Sequence, residues 1–286
     1  GSSAVFQDHK GDHETSDRTF SALVYRRLYD SCGWVFGLHA DGFCGGLIMW
    51  TPAGELIARI GLPAGPSIAY CQNGTWWDVT ATCPTIAHWL TGSVPLQLIR
   101  DSKASPLAIR QIEKWLAPSD LQPIKAFGVT FVASLLERLV EEMAMGDESE
   151  ADTVRASLNT ELKAAVKAMV PGSAEALRLR ESLIQSGHWS PYLEVGLGRD
   201  PEIFTKCPPM AALGHQSIAG LLFESQWNNP ESELVLVCDA NGQSVGATIG
   251  NDVNLRDVEG RSTLLLGRAK DNRGSCILGP WIRIFD

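Results

Sequence analysis

Positive charge is the scarcest resource of this 286-residue sequence: 24 Lys and Arg stand against 33 Asp and Glu, for a formal net charge of -9. Such a balance argues against a nucleic-acid partner, because gripping phosphates requires a basic surface that releases counterions. The 7 cysteines are scattered and odd in number, with no C-x-x-C pair, so neither a zinc site nor a disulfide framework is indicated. Free thiols in a reducing, cytoplasmic setting are the expectation. No uncharged apolar run reaches the roughly 18 residues of a membrane span. The nearest stretch, Ser31–Trp50, is broken by Asp41 and rich in glycine, and Asp30 after Arg26-Arg27 spoils a secretory leader. Neither G-x-G-x-x-G nor G-x-x-x-x-G-K occurs, so no nucleotide cofactor is inferred. No internal repeat is present.

What is there reads as a chain with a real core, 44% hydrophobic and 20% charged. Residues 1–44 are left unassigned, their first twenty polar and expected to be disordered. Residues 45–118 are expected to form a small β-rich domain: short apolar runs at Ile57–Ile60, Ser67–Tyr70 and Thr75–Val79 are separated by Pro-Ala-Gly and Asn-Gly turn signals. Pro84 opens a short helix, and Pro106–Leu116 suggests a second. The middle is helical. Leu135, Leu136, Leu139, Val140 and Met143 form an i, i+3, i+4 stripe within Val132–Met145. Further helices are expected from about Ala151 to Val170, stopped by Pro171-Gly172, and from an N-cap at Ser173 to Gly187. After Tyr192 strands return. Leu234–Cys238 and Ser244–Ile249 make a hairpin turned at Asn241-Gly242, and Ile277–Phe285 reads as one more strand.

The residues with most chemical content are Glu231, Glu233 and Asp252. Positions two apart on a strand share a face, so Glu231 and Glu233 present paired carboxylates, and Asp252 lies at the end of the returning hairpin strand. Three carboxylates on one surface repel unless a cation sits among them. All-oxygen donors favour a hard ion, Mg²⁺ first, with Mn²⁺ or Ca²⁺ as alternatives. Spacing alone leaves open a plain solvated strand edge, because E-x-E is common.

The surrounding text narrows the choice. Trp227-Asn-Asn-Pro-Glu231-Ser-Glu233, Gly250-Asn-Asp252-Val-Asn-Leu-Arg256-Asp257, Lys270 and Gly279-Pro-Trp281 follow in that order. Over roughly residues 121–286 this series resembles the fumarylacetoacetate hydrolase family. Glu259-Gly-Arg-Ser262, Ala269-Lys-Asp-Asn272, Ser275-Cys276, Tyr192-Leu-Glu-Val195 and Glu202-Ile-Phe-Thr-Lys206 resemble its 2-keto-3-deoxy-pentonate dehydratase branch in particular. The resemblance implies an α+β protein: a small N-terminal β domain, then a mixed β-roll catalytic domain over 119–286 with a helical insertion. It implies metal ligands at Glu231, Glu233 and Asp252, and the family's active-site lysine at Lys270.

Hydrolases of that family carry an N-Y-x-x-H-x-x-E lid segment whose His and Glu activate water. Here the segment is Thr130-Phe131-Val-Ala-Ser134-Leu-Leu-Glu137, so imidazole is absent and Ser134 stands in its place. Glu137 remains to handle a proton, although without the resemblance it reads equally well as a charged helix residue. Arg256 and Lys206 are candidate clamps for a substrate carboxylate, with pairing of Arg256 to Asp257 or a carbonyl as the plainer alternative. His215 and His188 read as structural or exposed, and His9 and His13 as tail residues. The nine Trp read as core rather than a stacking platform. The resemblance also implies that strands follow beyond Asp286, so the fold is expected to be incomplete at that end. The expected activity is Mg²⁺-dependent dehydration of a small 2-keto-3-deoxy sugar acid by a cytoplasmic homodimer. Acylpyruvate hydrolysis, decarboxylation or hydration, and a non-catalytic chain, are the alternatives.

Overall fold

The computed structural model describes residues 54–103, 105–128, 139–157, 170, 172–185, 191–198, 200 and 202–285. Its strands are β1 (Glu55–Leu62), β2 (Gly65–Gln72), β3 (Thr75–Asp78), β4 (Ser105–Leu107), β5 (Lys114–Leu116) and β6 (Ile124–Gly128). They continue with β7 (Glu202–Cys207), β8 (Asn228–Asn229), β9 (Ser232–Cys238), β10 (Ser244–Asp252), β11 (Asn254–Leu255), β12 (Cys276–Leu278) and β13 (Ile282–Ile284). The helices are α1 (Ile86–Leu90), α2 (Leu96–Asp101), α3 (Glu148–Ser157), α4 (Ala174–Gln185), α5 (Pro191–Leu197), α6 (Arg256–Glu259) and α7 (Leu266–Lys270). This is the mixed helix-and-strand composition expected of an α+β chain. No helix among the described residues is long and apolar enough to cross a membrane.

The chain divides into two compact units. The first takes in the described residues up to Pro118, with Leu236–Thr248 and Pro280–Asp286; the second is Ser119–Val235 with Ile249–Gly279.

In the first unit β1 and β2 pair antiparallel from Glu55↔Gln72 to Leu62↔Gly65. β2 returns into β3 across Asn73-Gly74, both at positive φ (51° and 81°). Two such residues make the turn whose twist matches a hairpin, and Asn and Gly tolerate it best. The β1–β2 layer is buried on both faces. Ile57, Ile68 and Tyr70 pack with Ile86, Trp89 and Leu90 of α1. Leu56, Ala58 and Ile60 face Trp76, with Trp115 and Trp281 against them. The helix is started by Thr85, whose side chain accepts from the His88 amide. β13 closes this layer through Ile57↔Ile282, a pairing between residues far apart in sequence.

Two local expectations are corrected. Pro106–Leu116 is not a helix: it is β4, one 3-10 turn at Ile109–Gln111 and β5. Pro106 pairs with Trp77, and Lys114–Leu116 lines up on Arg59–Gly61, so ladder hydrogen bonds override the local pattern. Ile277–Phe285 is two strands rather than one, interrupted at Gly279-Pro280, where Gly279 takes φ 122° and Pro280 has no amide to donate.

In the second unit β6 and β7 form an antiparallel ribbon, and β8 pairs with β11. The far half of β10 pairs with β12 through Gly250↔Leu278 and Asp252↔Cys276. Ser173 caps α4 as expected, its hydroxyl accepting from the Ala176 amide at 3.1 Å. The expected helix over 132–145 is described only from 139 onward, where it is helical to Met143 and turns at 144–146; Ser134 and Glu137 lie outside the described residues.

Candidate active site

Four elements of the second unit converge on one buried charge cluster. Glu231 sits just before β9 and is fixed at both ends of its peptide. Its amide donates to Asn251 Oδ1 at 3.1 Å, and its carbonyl accepts the Asp252 amide at 2.9 Å. Asp252 ends β10. Lys270 ends α7 and Lys206 lies near the end of β7; both are buried, at 1% and 2% exposure. Burying a lysine is costly unless its charge is paired, and here each is.

The Lys270 ammonium bridges the two acids, bonding to Glu231 Oε2 and, at 3.1 Å, to Asp252 Oδ2. Lys206 Nζ approaches Asp252 Oδ1 at 2.6 Å, an ion contact without hydrogen-bond directionality. Lys206 also donates to Val253 O at 3.0 Å and to the carbonyl oxygen of Lys270. That carbonyl accepts a second bond, from Ser275 Oγ at 2.7 Å. Asn254 Nδ2 donates to Glu231 Oε1 at 3.1 Å. The ring of Phe204 lies 5.9 Å from Lys270 Nζ and covers the cluster with an apolar face. Two carboxylates and two ammoniums thus share one low-dielectric pocket with formal charges that cancel.

Of the residues expected from sequence, Glu231, Asp252, Lys270 and Lys206 are brought together. Glu233 is exposed on β9, and no three His, Cys, Asp or Glu side chains among the described residues gather closely enough to hold a metal. Arg256 is brought elsewhere: its guanidinium bonds to the buried carboxylate of Glu141 and, at 2.5 Å, to Asn229 Oδ1. The two segments carrying that pair meet backbone to backbone. A Cβ on Gly260 would come 2.6 Å from Glu141 O, and one on Gly146 2.5 Å from Asp257 O. His215 is exposed.

Sequence reasoning gave no role to Asn254, Ser275, Glu141 or the thiol pair Cys207 and Cys276. The two thiols, next in sequence to Lys206 and Ser275, hydrogen-bond to each other, which lowers the pKa of Cys207 and raises that of Cys276. Only position within the Asp252–Asp257 and Ser275-Cys276 motifs marked any of these residues in advance.

The donor atoms present are of the type a hard divalent cation takes, although no three His, Cys, Asp or Glu side chains among the described residues gather round one point. Two carboxylates already converge on a positive charge, the Lys270 ammonium, and the buried Asn254 Oδ1 meets no hydrogen-bond donor among the described residues. Oxygen donors of this kind suit Mg²⁺, Mn²⁺ or Ca²⁺.

No protein-family model matches the chain. It is 42% identical over 82 residues to the 2-dehydro-3-deoxy-D-arabinonate dehydratase of Saccharolobus solfataricus, covering 29% of this chain and 28% of that protein. It is 36% identical over 91 residues to the "Probable 2-keto-3-deoxyxylonate dehydratase" of Haloferax volcanii, covering 32% and 31%. The match thus spans about three tenths of the length of each relative. Among solved structures, one of 2-keto-3-deoxyarabinonate dehydratase superposes with a TM-score of 0.50 at 20% identity, over 80% of this chain and 66% of that one. The resemblance to 2-keto-3-deoxy-pentonate dehydratases therefore holds in sequence over about three tenths of the chain, and the superposition extends it to the fold.

Proposed function

We propose that the chain is a metal-dependent hydro-lyase that dehydrates a 2-keto-3-deoxy pentonate to a 2,5-dioxo acid. The observation that carries the reading is the buried convergence of Glu231, Asp252 and Lys270, in a chain similar to two dehydratases of such acids. Glu231 and Asp252 would hold the divalent ion. A bound Mg²⁺ supplies Lewis-acid polarisation of the substrate's carboxylate and 2-keto oxygens.

The remaining work falls to the chain's own residues. Lys270 carries its positive charge on a rigid helix end, beneath Phe204, where water is excluded and an ammonium acts strongly on a developing negative charge. In the proposed reaction it donates to the 2-keto oxygen as the C3 proton departs. The C4 hydroxyl then leaves with that proton as one water. The resulting 5-hydroxy-3-ene-2-keto acid loses a C5 proton to give a dienol, which is reprotonated on carbon and tautomerises to the aldehyde. Lys206 holds Asp252 and the Lys270 carbonyl in place. Glu137 is the proposed proton acceptor, and the sequence has Ser134 where hydrolases of the resembled family carry a water-activating histidine. Arg256 is committed to Glu141 and Asn229 and is given no substrate contact.

The test is release of a 2,5-dioxo acid from 2-keto-3-deoxy-D-xylonate and 2-keto-3-deoxy-D-arabinonate, with and without Mg²⁺, by the wild type, Glu231→Gln and Lys270→Met. Turnover that disappears on chelation, returns with Mg²⁺ and is lost in both variants supports the reading. Turnover indifferent to chelation or to either substitution rejects it.

A further inference from the structure

Asn254 opens β11, two residues past Asp252, and is fully buried at 0% exposure. Its backbone is set in antiparallel register with Asn229, and the preceding amide, Val253 N, donates to Ser275 O at 3.0 Å. One end of its side chain is committed: Nδ2 donates to Glu231 Oε1 at 3.1 Å, while Lys270 takes Oε2 of the same carboxylate. Glu231 is therefore held at both oxygens. The sense of the Asn254 amide follows from chemistry, because an ionised carboxylate only accepts and so must face the NH2 group. Oδ1, on the other branch of the same amide, is buried without a hydrogen-bond donor among the described residues. Leaving such an oxygen unsatisfied forfeits the hydrogen bonds it made to water in the unfolded chain. A neutral amide oxygen is also a ligand type that hard divalent cations accept alongside carboxylates.

We propose that Asn254 is a positioning residue of the cation site: Nδ2 fixes the Glu231 carboxylate, and Oδ1 gives an oxygen to the divalent ion or to a water of its hydration shell. The inference rests on the metal reading above and deepens it. It explains why an amide rather than a third acid lies beside Glu231. A carboxylate there would have no hydrogen to offer Glu231 and would add repulsion within the cluster.

Mn²⁺ binding to the whole chain, without substrate, tests this directly by calorimetry and by the electron paramagnetic resonance of free Mn²⁺. Wild type, Asn254→Leu, Asn254→Asp and Glu231→Gln are compared, and melting temperature is recorded for each. Asn254→Leu keeps the volume and removes both polar atoms; it is expected to weaken Mn²⁺ about 10–100-fold, the usual cost of losing a group that orients a ligand. Asn254→Asp keeps an oxygen for the ion but has no hydrogen to offer Glu231, and is expected to bind Mn²⁺ more tightly than Asn254→Leu. A folded Asn254→Leu protein with wild-type Mn²⁺ affinity overturns the inference and leaves the metal reading standing. Equal loss of affinity in both variants, in step with their melting temperatures, also overturns it, since that marks a purely structural bond. Should Asn254→Leu fail to fold, Asn254→Asp decides alone: measurable Mn²⁺ binding supports the proposal, and binding abolished in a protein that melts like wild type overturns it. A wild type that binds no Mn²⁺, or a Glu231→Gln protein that binds as well as wild type, defeats the metal reading and this inference with it.

Discussion

The ammonium of Lys206 bonds to the backbone carbonyl of Lys270, so the two cations of the cluster are tied to each other as well as to Asp252. Lys206 donates hydrogen bonds to Val253 O and Lys270 O and makes an ion contact with Asp252 Oδ1. A lysine so engaged acts first on the shape of the site. Lys206→Met is expected to lower stability by about 3–5 kcal/mol, the usual effect of removing one partner of a buried pair. Urea denaturation measures it. A lysine held in reserve for substrate would instead raise KM and leave the unfolding midpoint where it was.

Arg256 and Glu141 make the second buried pair, with Glu141 at 1% exposure. Arg256→Met should destabilise by about 3–5 kcal/mol, because Glu141 keeps its charge and loses its cation. Adding Glu141→Gln should recover part of that loss, and the double-mutant cycle gives the coupling. If Arg256 served substrate alone, Glu141→Gln would restore nothing and the two effects would simply add.

How much of this was legible in the sequence depends on the range of the interaction. The β2–β3 turn at Asn73-Gly74, the cap at Ser173 and the β9–β10 hairpin are local events with local signals, and the residues announced them. Glu231, Asp252 and Lys270 were legible as motif residues. Their joining through the Lys270 ammonium was not, because it depends on where α7 ends relative to β10. Pro106–Leu116 misled because its helix-like composition is outweighed by ladder bonds to β3 and β1, distant in sequence. The alternation that placed Glu233 on the face of Glu231 assumes both lie in a regular strand; β9 begins only at Ser232, so Glu231 is held by Asn251 and Asp252 instead.

The cysteines offer a check on burial. Cys238 is exposed, whereas Cys71, Cys83, Cys207 and Cys276 are buried. Burial pushes the Cys71 thiol up to about 11, although a hydrogen bond from Gly74 opposes the rise. Thiolate is the reactive form. Brief maleimide labelling of the native protein at neutral pH, mapped by peptide mass, should therefore modify Cys238 well ahead of these four. Early labelling of Cys207 or Cys276 would contradict the closed cluster beside Lys206 and Ser275.

Acid sensitivity should trace in part to Glu55 in the first unit. Burial pushes its carboxyl up, but bonds from Arg100, Tyr70 and Gln72 together outweigh that and hold it below 4.5. Arg100 Nη2 lies 2.7 Å from Oε2, and Tyr70 Oη donates to Oε1 at 2.7 Å. A group whose folded pKa is depressed binds fewer protons folded than unfolded. Its contribution is complete above pH 4.5 and fades as pH falls through the lower folded value. Glu55→Gln should therefore flatten the plot of stability against pH below 4.5 while lowering stability at neutral pH. Arg100→Met should flatten the same window, because it removes the main force that depresses the carboxyl. Tyr70 behaves oppositely: burial and Glu55 raise its hydroxyl above 10.0, so its contribution is complete below that pH and is lost as pH rises beyond it. Equilibrium unfolding from pH 3 to 11 on wild type, Glu55→Gln and Tyr70→Phe separates the two limbs. An acid limb unchanged in Glu55→Gln would mean that the Arg100 pair does not survive in solution.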